Sequence, residues 1–404
     1  MKPEVVRQLL DQVDYEFERD APPNWFPDLP RLQAQRYLDK DFFDLEMKAL
    51  RNCWLIVGTV HQFPEAGAFK VFDKWDAAGV IIVRGHDDKI RAFYNTCQHR
   101  GAPVVAKECG VVQRLNCQMH SWSYELDGTL VGIPGRRDFH ANLDRAKNGL
   151  KPVACDIWRG FVFINFDPSP MPLLDWLGPI AEEATWFDGL RIAATDSMML
   201  NANWKIAIES NIEVYHVTTV HPETVALGLD YRGSAHELYT NGHSRMVVPS
   251  KGYDSRKVRA QAETGDPQDA LLQNTNVSYL LFPFHLTPGG RNANGQYGIT
   301  LQTFWPISVD KTLLEWHTMA PDWGEGEPPV ATKEQNERYS QVMDEDTASM
   351  APIQRSISSG AFDGALISYH ERRIYHHEAS LDRHIGIDKV PEHLRVPQLL
   401  KTVG

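Results

Sequence analysis

The chain has 404 residues and a formal net charge of −12, and 42% of its residues are hydrophobic. This is the composition of an ordinary soluble globular protein that is long enough to bury at least two cores. Because the charge balance is acidic and no run of eighteen apolar residues occurs, we expect neither a nucleic acid nor a membrane as a partner.

The number of cysteines and the first residues of the chain indicate in which cellular compartment the protein is found. The chain has five cysteines, a low and odd number. Such a count suits a reducing compartment, where thiols bind metal or lie in cores, better than a disulfide framework. The segment Met1-Lys2-Pro3-Glu4 lacks the apolar core of a signal peptide. We therefore expect a cytoplasmic protein.

Residues 1–45 are expected to form N-terminal helices and an arm. A helix over about residues 4 to 17 is predicted by apolar residues at helical spacing: Val5, Val6, Leu9, Leu10 and Val13. Pro22 and Pro23 cannot continue this helix, so the stretch that follows should be extended. A second helix is predicted from about residue 39 to 52.

Residues 46–168 are predicted to form an all-β domain. Short β-rich runs cut by turns occupy the region, at residues 54–60, 69–72, 80–83, 90–94 and 158–165. Small antiparallel sheets of this kind can present two loops side by side.

Two matched pairs of metal-ligand residues lie in this domain. Cys97-x-His99 is followed, after seventeen residues, by Cys117-x-x-His120. Two thiolates and two imidazoles are the ligand set of a Rieske [2Fe–2S] cluster, in which one iron is bound by two Cys and the other by two His. A structural zinc site is the alternative, but zinc fingers usually pair Cys with Cys and His with His along the chain. The alternating order therefore favours the iron–sulfur cluster.

Residues 169–404 are predicted to form a second domain that mixes strands and helices. A proline-rich linker, residues 168–172, precedes it. Strands are expected near residues 193–200, 244–248, 277–282, 298–304 and 313–320, with a helix from about 204 to 217. This order predicts an α+β fold in which an antiparallel sheet is covered by helices.

A second metal site is indicated by His216 and His221. On one continuous helix this five-residue step would turn the two rings apart, so we expect the helix to end between them, at the β-branched run 217–220. Two imidazoles and one carboxylate form the facial triad of non-haem Fe(II) oxygenases, which leaves positions open for O₂ and substrate. The carboxylate must come from far along the chain.

Both motif regions resemble those of one family. Residues 97–101 and 117–128 are similar to the Rieske motif of the alpha (oxygenase) subunits of Rieske non-haem iron oxygenases, the ring-hydroxylating dioxygenase family. Members more often have Pro-Tyr in place of Gln118-Met119, and Gly in place of Ser121. The resemblance implies an N-terminal all-β Rieske domain and a C-terminal antiparallel-sheet catalytic domain covered by helices, a helix-grip-like arrangement.

The resemblance also implies roles for three acidic residues. Glu345-Asp346 resembles the family's acidic pair, so Asp346 is expected as the third iron ligand and Asp344 is the alternative. Family members carry an acidic residue at the position of Glu213 that joins the two metal sites across a subunit interface. Glu213 is accordingly expected between His120 and His216, and a simple surface glutamate is the alternative. Adjacent His376 and His377 are expected to be structural.

The function implied is that of a terminal oxygenase component. A ferredoxin or flavin reductase using NAD(P)H would supply electrons through the [2Fe–2S] cluster to Fe(II) and O₂, and a small apolar, aromatic substrate would be dihydroxylated. Monohydroxylation, oxidative O- or N-demethylation and a pure electron carrier are the alternatives. The implied assembly is a homotrimer, with or without a beta subunit. From their position on apolar runs, the expected pocket residues are Phe282, Phe284, Leu286, Leu301 and Phe304.

Overall fold

The computed structural model describes residues 1–74, 79–291 and 297–404. It contains two compact units: residues 51–173 form the first, and residues 1–50 together with 174–404 form the second. The first fifty residues thus belong to the larger unit. The expected division of the chain at residues 45 and 168 stays a prediction. Among the helices of the described ranges, none combines the length and the apolar character needed to cross a bilayer.

The smaller unit is built from two antiparallel sheets, and the predicted all-β arrangement is confirmed. The seven-stranded sheet has the spatial order Leu55–Thr59, Phe161–Asn165, Pro152–Trp158, Ile90–Tyr94, Val80–Arg84, Ala68–Phe72 and Cys109–Val111. The three-stranded sheet contains Leu115–Asn116, Ser123–Tyr124 and Leu130–Gly132. The first Cys/His pair follows strand Ile90–Tyr94, and the second lies in the hairpin between Leu115–Asn116 and Ser123–Tyr124.

The larger unit contains an antiparallel seven-stranded sheet with helices, so the α+β prediction is also confirmed. The spatial strand order is Leu190–Leu200, Lys311–Pro321, Tyr297–Ser308, His285–Arg291, Thr275–Leu281, Ser244–Pro249 and Ala235–Leu238. A short second sheet pairs Leu32–Gln33 with Gly364–Ala365. The α-helices are Pro3–Glu18, Lys40–Leu50, Leu173–Leu177, Ile180–Glu183, Trp204–Glu209, Val217–Val220, Val225–Gly228, Ser255–Thr264, Pro267–Asn274, Val330–Thr347, Met350–Ile357 and Arg372–Ile385.

The prediction of one helix from 204 to 217 is wrong. The helix is Trp204–Glu209, and the β-branched run that was expected to end it forms a separate short helix, Val217–Val220. The Glu213 carboxylate accepts hydrogen bonds from the backbone N–H groups of Tyr215 and His216 just before this second helix. These hydrogen bonds and the burial of Val217 therefore outweigh the low helix propensity of the run.

The helix that carries Asp346 is Val330–Thr347, and Asp346 lies in its last turn. We call this element the carboxylate helix. Its last turn contains no basic residue, and the helix dipole places partial negative charge at this end. An acidic side chain here is therefore unfavourable unless a positive group lies beside it.

Buried ion pairs tie the N-terminal segment to the core of the larger unit. Lys205 Nζ lies 2.5 Å from Glu46 Oε1, and both side chains are fully buried. Arg36, also buried, binds Glu378 and lies 2.9 Å from Asp382 Oδ1. Burial raises the pKa of Glu46 to about 7, although Lys205 pulls it down. Each buried charge consequently depends on its partner.

Replacing one member of the Lys205–Glu46 pair should be costly. Lys205→Met should lower the free energy of unfolding by about 3–5 kcal/mol, because Glu46 is left buried without a cation. Adding Glu46→Leu should recover most of that loss. Urea denaturation of the two variants measures both effects. Lys40→Met is the control, since Lys40 pairs with Asp44 on the surface and should change stability little. Equal losses in the single and double variants would contradict the prediction.

Candidate metal centres

The two cysteines of the smaller unit lie in its core. Cys97 and Cys117 are buried, and the Cys97 thiol is 3.3 Å from the Tyr124 hydroxyl, which also accepts a hydrogen bond from the backbone N–H of Gln98. Burial raises the pKa of the Cys97 thiol, and the adjacent Cys117 thiol contributes in the same direction. A cationic metal is what would favour the thiolate form here.

The two histidines of this unit face each other. The ring centroids of His99 and His120 are 4.7 Å apart. The His99 ring stacks on Trp122 at 4.9 Å, and Phe139 contacts both rings edge-on. Nδ1 of His99 is buried and has no hydrogen-bond partner among the described residues. The stacking thus fixes the orientation of the His99 ring, and its Nδ1 atom stays available to bind a metal ion.

The distances among ligand atoms differ between a site for one zinc ion and a site for a diiron cluster. In a tetrahedral zinc site with Zn–S bonds of about 2.3 Å, the ligand atoms lie about 3.8 Å apart. Across the described ranges, two groups place three such atoms within 4.8 Å of one another, and neither contains Cys97, His99, Cys117 or His120. These four residues lie outside both compact groups, and a cluster in which one iron is bound by two Cys and the other by two His suits this ligand set.

Ser121 occupies the position where the resembled motif usually has glycine. Its φ is 55°, in the left-handed region that glycine adopts without steric cost. The tight turn after His120 is therefore retained with a side chain that strains it. This explains in backbone terms why glycine is frequent at that position.

The second candidate centre joins the short helix Val217–Val220 to the carboxylate helix. Asp346 Oδ1 lies 2.8 Å from His221 Nε2 and 3.4 Å from His216 Nε2. The two imidazole centroids are 5.2 Å apart, and the three ligand atoms lie within 4.8 Å of one another. His216 and His221 flank the helix, as N-cap and C-cap residues. Asp344 is exposed, so the structure brings Asp346 to the histidines and not Asp344.

Two further carboxylates hold the outer nitrogens of these imidazoles. Glu213 binds Nδ1 of His216. Glu345 Oε2 lies 2.6 Å from His221 Nδ1 and accepts a second hydrogen bond from Thr224. Glu213 is only 8% exposed, which argues against its being a simple surface residue. Sequence reasoning noted Glu345 as one of an acidic pair but gave it no role, because adjacency in sequence does not show which ring it reaches.

The carboxylates of this site favour a positive charge beside them. Burial lowers the pKa of His216, but the hydrogen bonds to Asp346 and Glu213 outweigh burial and raise it to about 10. The pKa of His221 is raised for similar reasons, chiefly by Asp346. The two imidazoles lower the pKa of Asp346 despite its burial. Protonation of His216 thus supplies positive charge that a bound metal ion would otherwise bring.

A cavity of about 140 Å³ adjoins these residues. Its floor is formed by sheet residues that are neighbours across strands: Val248 beside Asn276, Ser278 between Met246 and Pro288, and Leu286 beside Gln302. Its roof is one face of the carboxylate helix, with Tyr339, Val342, Met343 and Asp346 at spacings of three and four residues. Val217, Val225 and Leu229 line a further wall.

Of the five expected pocket residues, only Leu286 lines this cavity. Phe282 stacks on His384, and Phe284 contacts Trp204 edge-on. Side chains alternate across a strand, so Leu301 and Gln302 point to opposite faces. Phe304 follows on the same strand, paired with Leu314. Gln302 was not among the expected pocket residues, because those were predicted from apolar runs of the sequence.

A second group of possible metal ligands, Glu209, His377 and Glu378, lies elsewhere in the larger unit. Glu378 already binds Arg36, and Glu209 accepts a hydrogen bond from Tyr37. His377 donates to a backbone carbonyl, as His376 does. Because Arg36 and Tyr37 already occupy its carboxylates, this group is a packing network, in line with the structural role expected for the two histidines.

Comparison with protein-family models gives two matches. Residues 53–147 match the Rieske [2Fe-2S] domain. Residues 187–387 match the catalytic domain of the ring hydroxylating alpha subunit. The two matches contain the two candidate metal centres separately.

Two curated relatives are oxygenase subunits of glycine betaine monooxygenase. The glycine betaine monooxygenase oxygenase subunit of Pseudomonas aeruginosa is 31% identical over 308 residues, covering 69% of this chain and 71% of the relative. Its counterpart from Chromohalobacter salexigens is 34% identical over 220 residues, but the match spans only 49% of that protein and 54% of this chain.

Two solved structures share the fold. The quaternary ammonium Rieske monooxygenase CntA in complex with L-carnitine has a TM-score of 0.72 and 21% identity, covering 90% of this chain and 99% of that one. Naphthalene 1,2-dioxygenase from Rhodococcus has a TM-score of 0.71 and 18% identity, covering 96% and 99%. With its two domain matches and its P. aeruginosa relative, the chain belongs to the family of Rieske non-haem iron oxygenase alpha subunits.

Proposed function

We propose that this chain is the terminal oxygenase of a multicomponent system that hydroxylates a small apolar, aromatic substrate. The observation that carries the proposal is the pair of separate ligand sets in one chain. One set suits a diiron cluster, and the other is a two-histidine, one-carboxylate set beside a largely apolar cavity. A pure electron carrier would need only the first.

Each ligand set has a proposed occupant. Cys97, His99, Cys117 and His120 hold a [2Fe–2S] cluster. His216, His221 and Asp346 hold Fe(II). When bound, this iron supplies a site at which O₂ can be activated beside the substrate.

Two acidic residues of this chain fix the orientation and the tautomer of the two imidazoles. Glu213 accepts the Nδ1 proton of His216 and so fixes the tautomer that leaves Nε2 toward the iron site. Glu345 does the same for His221. We further propose that Glu213 contacts His120 of a neighbouring subunit and joins the two metal sites.

The proposed partners follow from the family. Members of the family receive electrons from NAD(P)H-dependent reductases or ferredoxins, and we propose such a partner as the electron donor to the cluster. A head-to-tail ring, most simply a homotrimer, is the proposed assembly. All five cysteines are free, which suits a reducing compartment, and we propose a cytoplasmic location.

Ring dihydroxylation is the reaction we favour, because the cavity wall is mainly aliphatic and no lysine or arginine is among its described lining residues. Oxidative N-demethylation is the second candidate, favoured by the names of the glycine betaine and carnitine monooxygenase relatives. Product analysis separates them, since demethylation releases formaldehyde and dihydroxylation gives a diol.

Reduction of the purified protein under anaerobic conditions tests the proposal. A rhombic Rieske EPR signal with about three irons per chain is expected from one diiron cluster and one mononuclear site. His216→Ala should keep the signal and lose one iron. A signal with two irons that added Fe(II) cannot raise would indicate an electron carrier, and bound zinc without a signal would overturn the proposal.

Glu345 should matter for metal affinity. Glu345→Gln removes the charge that fixes the His221 ring, and Fe(II) affinity should fall by about 10- to 100-fold. Anaerobic competition with a coloured chelator measures the change. Glu337→Gln, an exposed substitution on the same helix, is the matched control and should bind iron normally. Equal affinity in both variants would show that Glu345 is not needed to orient His221.

Fe(II) binding should release protons at pH 7. The pKa of His216 is raised to about 10, so at pH 7 this ring holds a proton in the metal-free protein that a metal must displace; the pKa of His221 is shifted in the same direction. Apparent affinity should therefore increase with pH up to about 10 and fall as pH is lowered. Calorimetric titrations in buffers of different ionisation enthalpy count the protons. A count near zero at pH 7 would contradict the assignment.

A further inference from the structure

The cavity beside the proposed iron site contains two buried polar atoms that the protein does not satisfy. Gln302 and Ser278 are 1% and 2% exposed and line the cavity floor. Within residues 1–74, 79–291 and 297–404, Gln302 Oε1 and Ser278 Oγ have no hydrogen-bond partner. Burying a polar atom without a partner is costly, so each is a position where a bound molecule gains by making a hydrogen bond.

A chain of amides determines which kind of group Gln302 needs. The backbone carbonyl of Ala207 can only accept, so the amide nitrogen of Asn211 must face it, at 3.0 Å. The Asn211 oxygen then accepts from Gln302 Nε2, also at 3.0 Å. Gln302 Oε1 is left as an acceptor. A ligand that satisfies it must therefore carry an O–H or N–H donor.

The remaining lining argues against a charged ligand. The described lining contains no lysine or arginine that could pair with a carboxylate. Apart from the two histidines, Tyr339 is the single aromatic ring among these residues, whereas a quaternary ammonium group is usually held by several aromatic faces. Apart from the proposed iron ligands, Glu213 is the acidic lining residue, and its carboxylate is bound to His216. The other polar lining residues are neutral.

The size of the cavity limits the ligand further. A volume of about 140 Å³ is close to the roughly 150 Å³ of an apolar cavity that accommodates benzene. One six-membered ring with a short substituent fits this space. A larger fused system would extend beyond this space.

We propose that the substrate is a neutral, single-ring-sized molecule with a hydroxyl or N–H group that donates to Gln302 Oε1. The Ser278 hydroxyl provides a second polar contact on the cavity floor. Gln302 is then a specificity-determining residue. This inference rests on the proposed function, because it treats the cavity as the substrate site. It separates the chain from the relatives whose names specify betaine or carnitine.

Binding of four probes to the iron-loaded protein tests the inference. Benzyl alcohol and ethylbenzene have the same shape but differ in the donor, and benzoate and tetramethylammonium carry the two charges. Calorimetry or ligand-observed NMR should show benzyl alcohol binding at least tenfold more tightly than either charged probe. In Gln302→Met the affinity ratio of benzyl alcohol to ethylbenzene should fall about tenfold. Gln273→Met, an exposed substitution, should leave the ratio unchanged.

The possible outcomes are distinct. A ratio that Gln302→Met does not change, or tighter binding of benzoate or tetramethylammonium, overturns the inference. If Gln302→Met does not fold, the comparison of the four probes on the unmodified protein decides. EPR and iron content are measured on the same samples. A protein with both metal sites that prefers a charged probe loses only the substrate inference, and a protein that lacks them loses the proposed function.

Discussion

The contact between the Asp346 carboxylate and two imidazoles is the constraint on which the larger unit depends. Asp346 is buried in the last turn of a helix, where the helix dipole opposes its charge. Its placement is tolerable only because His216 and His221 converge on it. The short helix between these histidines, the contact of Glu213 with His216 and the roof of the cavity all follow from docking the carboxylate helix at this point.

The two candidate centres are built in different ways. The ligands in the smaller unit come from two loops close in sequence, and aromatic stacking of Trp122 on His99 orients them. The ligands in the larger unit come from segments more than a hundred residues apart. The first centre can therefore form with a small local fold, whereas the second requires the whole sheet and the carboxylate helix to be in place. This difference makes the second centre the more sensitive to changes in packing.

The same difference determines what could be predicted. Cys97, His99, Cys117 and His120 are recognisable from spacing alone, and the α+β order follows from the pattern of runs. Asp346 was predicted only through a family resemblance, since no local pattern links it to His216. The cavity could not be predicted, because strand parity and the depth of the helix decide that Gln302, and not Leu301, faces it. The end of helix Trp204–Glu209 was misplaced because hydrogen bonds from the backbone N–H groups of Tyr215 and His216 to the Glu213 carboxylate hold a non-helical segment before Val217.

Glu345 and Asp346 are consecutive residues that hold opposite nitrogens of one imidazole: Glu345 lies at Nδ1 of His221 and Asp346 at Nε2. The ring is clamped at both ends by a single element. Any sliding of the carboxylate helix along its axis must move both contacts together, so the orientation of the ring and the position of the third ligand cannot change independently. A substitution that shifts this helix would therefore disturb the orientation of His221 and the third ligand at the same time.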